Sequence, residues 1–250
     1  MFTPEQRDRI RDRIVAMARA DARVVSAAEV GSLAAGGGDR WSDLDLTFGV
    51  NAGTDIGVLL GDWTRGIERE FGAAHLFDLP YLSTIYRVFM FPGNLQVDLS
   101  FTPGAEFGAL GPRFRLLFGE TVERSHIPGP SARHLFGLAV HHAVRARLSI
   151  ERDRPWQTEY WVSAVRDQAL ALACIRLGLA PSYGRGYDEL PADLRTAAEA
   201  ALVRSLERSE LLRALGRAIE ALLRESGAAP DVAAKVEGDL RGLVSPSWPD

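Results

Sequence analysis

Asp43 and Asp45 stand two residues apart in Ser42-Asp43-Leu44-Asp45-Leu46, and ten residues separate them from the pair Gly31-Ser32. On a β-strand that spacing puts both carboxylates on one face, because successive side chains alternate. A Gly-Ser turn presents free backbone N–H groups. Two acids on one rigid face near such a turn suit metal-assisted phosphoryl chemistry, with N–H groups receiving phosphate oxygens and carboxylates holding a hard cation. A third acid, Asp98, interrupts the apolar run Leu95 to Phe101. It is costly to bury there without a cation, a hydrogen bond or a metal. Acids brought together without a metal would repel and raise one another's proton affinity, a conflict that a divalent cation resolves. Mg²⁺ suits them, since it takes carboxylate oxygens and keeps phosphate oxygens and water as its other ligands.

These residues need a scaffold. Thr3-Pro4-Glu5 opens a helix over 4–20, with Ile10, Ile14 and Met17 at helical spacing. Val24 to Val30 reads as a buried strand running into Gly31-Ser32. Ser32 caps a short turn over 33–37, cut off by the glycines at 36–38. A second strand covers 43–50, with the acids at its start. A helix over 55–71 follows, then strands at 75–79, 84–91 and 95–101, the last two forming a hairpin across Pro92-Gly93-Asn94. From about residue 131 the pattern becomes helical: 131–148, 156–177, 191–206, 209–225 and a last helix from Pro230. Pro181 to Pro191 is a Gly/Tyr loop. The expected fold class is therefore α+β, an N-terminal α/β domain with a mixed sheet followed by a C-terminal helical bundle. The expected domains are 1–128 and 129–250, divided by the composition shift at His126-Ile127-Pro128-Gly129-Pro130, with a ligand cleft between the halves.

Composition narrows the class. At 250 residues and 46% hydrophobic content the chain is globular. A net charge of −4 gives no broad pull towards nucleic acid. Cys174 is the only cysteine, so no internal disulfide forms, and its apolar helical context makes it core filler. The N-terminus lacks an apolar leader and no stretch is long enough to span a membrane, which predicts a cytoplasmic protein. There is no P-loop, no dinucleotide fingerprint and no Gly-X-Ser-X-Gly, so kinase, dehydrogenase and serine-hydrolase readings lose their support.

Gly31-Ser32, the Asp43-Leu44-Asp45-Leu46 run at that spacing and the third acid in Val97-Asp98-Leu99 resemble the polymerase-β-like nucleotidyltransferase superfamily. With the helical second half, the chain is similar to the aminoglycoside and lincosamide adenylyltransferases. The motif resemblance covers 24–101. Over 131–243 it rests on architecture and on Tyr183-Gly184-Arg185-Gly186-Tyr187-Asp188. The resemblance implies that Gly31 and Ser32 hold the β- and γ-phosphates of ATP, and that Asp43 and Asp45 bind two Mg²⁺ ions. It implies that Asp98 completes the second metal site and helps deprotonate an acceptor hydroxyl. AMP would pass from ATP to a small molecule, an antibiotic in those relatives, with release of pyrophosphate. The Gly36-Gly37-Gly38 run departs from the pattern without removing a required group. By the same resemblance the helical half is where a homodimer would form.

Further candidates carry two readings each. Arg40 reaches a phosphate or is a solvated loop residue. Arg87 shares the active face and clamps a phosphate, or does neither. Glu159 is an acceptor-side base, or a first-turn acid favoured by the helix dipole. Arg166 meets phosphate, or pairs with Glu159 or Asp167. Trp156, Tyr160 and Trp161 line an acceptor wall or pack the bundle. Two other functions stay open: nucleotidyl transfer to a protein or a tRNA, as in toxin–antitoxin systems, and a non-catalytic nucleotide-binding module.

Overall fold

A computed structural model describes residues 1–34, 36–125 and 129–245. Ala35, inside the expected turn over 33–37, and the centre of the expected domain boundary at 126–128 lie outside the described residues. The chain divides into two compact units, 1–127 and 128–250.

The first unit contains helix α1 (Pro4–Ala20), strand β1 (Val24–Val30), the single turn α2 (Gly31–Ala34), β2 (Leu44–Val50) and α3 (Ile56–Phe71). Strands β3 (Ala74–Tyr81), β4 (Thr84–Phe91), β5 (Leu95–Pro103) and β6 (Phe114–Phe118) complete it. The strands form one sheet in the order β3-β4-β5-β2-β1-β6, with β2 and β5 parallel and the other neighbours antiparallel. It is a mixed sheet.

Alternation sets what each face does. Leu44, Leu46, Phe48 and Val50 of β2 and Leu95, Val97, Leu99 and Phe101 of β5 are buried against Ile14 of α1 and Leu59, Trp63 and Ile67 of α3. Phe48, Trp63 and Phe101 meet with ring centroids 5.1–5.2 Å apart. The intervening residues, Asp45, Thr47, Asp98, Ser100 and Thr102, must then share the opposite face. The caps agree with the sequence: Thr3 and Gln6 form a reciprocal capping box on α1, and Asp55 caps α3.

The second unit is helical: α4 (Ala132–Glu151), α5 (Pro155–Leu177), α6 (Ala192–Ala200), α7 (Arg208–Arg224) and α8 (Pro230–Gly242). Ala139, Ala143 and Ala146 of α4 pack with Val162 and Val165 of α5 and Leu215 and Ile219 of α7. Cys174 is buried, as expected. The α+β class and the helical C-terminal region are those expected from the sequence. No helix among the described residues is long and apolar enough to cross a membrane.

Several elements differ: the turn expected over 33–37 with Ser32 as its cap lies at Gly31–Ala34 with Ser32 inside it, and the strand expected from Asp43 begins at Leu44. β6 was not foreseen: five residues, with Leu116 exposed, carry too little periodicity to announce a strand, and pairing with β1 creates it. The helix expected over 191–206 stops at Ala200. Arg213 of α7 donates to the carbonyls of Ala200 (2.6 Å) and Leu202 (2.8 Å), so a tertiary contact takes over the carbonyls that a longer helix would have paired.

Candidate active site

The open face of the sheet is a ladder of same-face rungs. Asp45 of β2 is registered with Asp98 of β5, and Asp98 with Val88 of β4. One rung on, Thr47 is registered with Ser100 and Ser100 with Tyr86. On the next, Gly49 is registered with Thr102, whose hydroxyl hydrogen-bonds that of Thr84 at 2.8 Å. Two carboxylates thus share the first rung, and a floor of hydroxyls begins about 7 Å along the strands.

The Gly31 turn closes on this first rung. Gly31 follows β1 directly and has φ +74°, and a Cβ built on it would stand 2.1 Å from Oδ2 of Asp45. Only glycine allows both the left-handed backbone and the carboxylate at that place. Ser32 sits in the single turn that follows, its carbonyl accepting from Gly37 at 3.2 Å.

Asp98 is half-buried. Burial raises its carboxyl pKa above the usual range, a hydrogen bond from Gln96 (3.1 Å) opposes that, and the charge of Asp43 raises it further. Asp43 therefore acts electrostatically on Asp98, although it lies just before β2. The structure brings Gly31, Asp45 and Asp98 together on one face of the first unit, with Asp43 just before β2 and near enough for its charge to act on Asp98.

Arg7 fixes the approach to Asp43, and the sequence offered no sign of it beyond a charged helix. Its side chain is buried, and Nη1 donates to the carbonyls of Asp39 (2.8 Å) and Ser42 (3.0 Å). Within that loop Asp39 accepts from the Trp41 N–H and the Ser42 hydroxyl, which hold its pKa below the ordinary carboxylate value. Arg7→Met keeps the aliphatic stem and orphans both carbonyls. It should cost about 1.5–3 kcal/mol in urea unfolding, and unchanged stability would show that the loop needs no anchor.

The remaining candidates fall out differently. Arg40 is exposed, its guanidinium 4.2 Å from the Trp41 ring centroid. Arg87 corrects the expectation: it is registered with Leu99, not Asp98, and so lies on the helix-covered face. There it is bound to Asp78 and to the Thr64 hydroxyl of α3 (2.8 Å). One residue of register separates the faces, so Arg87 cannot clamp a phosphate beside Asp98. Glu159 on α5 accepts from Ser163 at 2.7 Å, and Arg166 pairs with Asp167 at 2.8 Å rather than with Glu159. Trp156 and Tyr160 are exposed, whereas Trp161 packs against His142 with ring centroids 5.0 Å apart. The Gly/Tyr loop places Tyr183 and Tyr187 on a cavity of about 560 Å³ inside the helical unit.

Among the described residues no group of three or more His, Cys, Asp or Glu side chains is placed to hold a metal ion, so Asp43, Asp45 and Asp98 do not form a ready-made cluster. The donor set still fits Mg²⁺ in kind. Its atoms are hard carboxylate oxygens, and the mutual repulsion of Asp43 and Asp98 is the imbalance that a cation between them relieves.

The hydroxyl rungs floor a pocket of about 160 Å³ on the same face, walled by the segment from Phe107 to Arg124. Nothing in the sequence marks this segment, including Arg113 and Arg124, because its residues follow no regular period.

No family model matches the chain, and no curated protein matches it. Among solved structures it is similar to an aminoglycoside 6-adenyltransferase from Bacillus subtilis, at 12% identity and a TM-score of 0.38, over 97% of this chain and 99% of that one. A similarity of that depth assigns neither activity nor substrate.

Proposed function

We propose that the chain is a nucleotidyltransferase that moves a nucleoside monophosphate, AMP from ATP in the simplest form, onto a hydroxyl of a small molecule. The observation that carries this reading is the Asp45–Asp98 rung packed on the Gly31 turn, with Asp43 close enough to act on Asp98. Asp43, Asp45 and Asp98 would hold Mg²⁺, leaving the rest of its shell to phosphate oxygens and water. When bound, the ion neutralises the triphosphate and stabilises charge on the entering and leaving oxygens. The turn at Gly31-Ser32 would receive the β- and γ-phosphates.

Asp98, whose proton affinity is raised, is suited to take the acceptor proton. The acceptor oxygen then forms a bond to the α-phosphorus, the bond from that phosphorus to the bridging α–β oxygen breaks, and pyrophosphate leaves with the electron pair. Glu159, the candidate acceptor-side base, and Arg166, the candidate phosphate contact, lie in the second unit, where Ser163 and Asp167 already engage them. In the adenylyltransferases that the motifs resemble, the acceptors are aminoglycosides and lincosamides; here the acceptor class rests on the lining of the pocket beside the acids.

Pyrophosphate release from ATP and Mg²⁺, followed across a panel of hydroxylated acceptors, tests the reading. Asp43→Asn and Asp45→Asn should each lower the rate at least about a hundredfold with the fold intact. Full turnover in both variants would reject it.

A further inference from the structure

We infer that the pocket walled by Arg113 and Arg124 binds a small, polyhydroxylated, anionic molecule, and that this molecule is the acceptor. The assignment as acceptor rests on the nucleotidyltransferase reading; the binding site itself does not.

The floor is made of hydroxyls. Thr47, Ser100 and Tyr86 occupy the rung next to Asp45 and Asp98, and Thr102 lies beyond them. Side-chain hydroxyls both donate and accept, which suits a ligand rich in hydroxyl groups. The Tyr86 phenol is pushed to higher pKa by burial, while the positive charge of Arg124 pulls it down, so the guanidinium faces the same space.

The wall is cationic, and the fold holds it in place. Val122 N–H donates to the Phe107 carbonyl at 2.8 Å, and the Ser26 hydroxyl bonds the Glu120 backbone through both its carbonyl (2.8 Å) and its N–H (3.2 Å). The segment also lies directly on Gly108: a Cβ there would stand 2.0 Å from the Val122 carbonyl oxygen and 3.2 Å from Cγ of Arg124. Elsewhere in this unit Arg13, Arg23, Arg87 and Arg115 are matched by a carboxylate, whereas Arg40, like the two wall arginines, has none among the described residues. Among the described residues Arg113 and Arg124 have no ion-pair partner and no carboxylate lines the pocket. Two guanidinium groups over a hydroxyl floor are donors awaiting a phosphate or carboxylate.

Charge and size together select the ligand class. Aminoglycosides carry several ammonium groups, and a wall with two arginines and no acid repels them. The volume of about 160 Å³ is below the roughly 300–1,000 Å³ usual for drug-sized ligands. It suits a single sugar-sized ring bearing one anionic group.

Calorimetry in EDTA without nucleotide tests the site with three probes of similar scaffold: glucose 6-phosphate, glucose and glucosamine. Glucose 6-phosphate should bind at least about tenfold more tightly than glucose, glucosamine should bind least, and added salt should weaken the phosphate alone. Arg113→Gln and Arg124→Gln should each weaken glucose 6-phosphate about tenfold with little effect on glucose. Arg113 is exposed, so its variant is expected to fold normally even if Arg124→Gln does not. Equal or tighter binding of glucosamine, no measurable binding of glucose 6-phosphate, or indifference to both substitutions would overturn the proposal. A non-hydrolysable ATP analogue supplies the remaining arm. If it displaces glucose 6-phosphate and itself loses affinity in Arg124→Gln, the arginines serve the nucleotide and the acceptor assignment fails. If glucose 6-phosphate binds as expected but no acceptor elicits pyrophosphate release from ATP, the anion site stands and the nucleotidyltransferase reading falls alone.

Discussion

Asp98→Asn is expected to lose catalysis and gain stability. On the activity side, asparagine can neither take the acceptor proton nor hold a cation as a carboxylate does, so pyrophosphate release should fall at least about a hundredfold. On the stability side, Asp98 has a raised pKa in the folded chain, from burial first and the charge of Asp43 in addition. The folded state therefore binds its proton more tightly than the unfolded state. Stability must fall as pH rises from the ordinary carboxylate value of 3.8 through the raised folded value, and the loss is complete above it. The amide carries no charge, and its oxygen still accepts from Gln96. In metal-free buffer at pH 7, Asp98→Asn should show a higher urea midpoint than the native chain, and the two should converge below pH 3.8. Added Mg²⁺ should raise the native midpoint and leave the variant's nearly unchanged, since a ligand stabilises only the state that binds it. A variant less stable than the native chain at pH 7 would show that the carboxylate serves the fold rather than the chemistry.

Gly31→Ala is expected to damage both the fold of the first unit and the placement of Asp45. The backbone there is left-handed, which costs a non-glycine residue about 1–2 kcal/mol. The new Cβ would also lie 2.1 Å from Oδ2 of Asp45, so the turn or the carboxylate must move, and overpacking of that kind costs about 1–3 kcal/mol more. The sum is about 2–5 kcal/mol. Gly53 is the control: its φ is +82° and nothing lies within 4 Å of its built Cβ. Gly53→Ala should cost only the backbone part, about 1–2 kcal/mol. Chemical unfolding of both variants separates the terms, and equal losses would show that the approach of Asp45 to Gly31 carries no energetic weight. In Gly31→Ala the rate should also fall, because Asp45 is displaced from its rung.

Local signals were the legible part. Capping at Thr3 and Asp55, the turn at Gly93-Asn94 and the alternation along β2 and β5 depend on neighbours in the chain, and the structure carries each of them. The strand expected from Asp43 begins one residue later, at Leu44, so only Asp45 of that pair is held by strand alternation. The assembly was not local. Arg87 looked like a phosphate clamp because it sits in a strand beside the candidate site. Register with Leu99 turned it to the other face, where Asp78 and Thr64 hold it. Arg7 looked like one charge among many on α1, and burial under the loop carbonyls of Asp39 and Ser42 made it an anchor.

The sequence by itself determined that Asp45 would face away from the buried Leu44 and Leu46, because a period of two is a property of the strand alone. It also determined the order of an α/β part and a helical part, because the hydrophobic period changes along the chain. Only the tertiary structure decided that Asp98 stands opposite Asp45, that the Gly31 turn presses on that carboxylate, and that Arg113 and Arg124 look onto a floor of hydroxyls. Those facts depend on strand register and on the close approach of segments far apart in the chain. Register is fixed by the packing of whole faces, which no local pattern encodes.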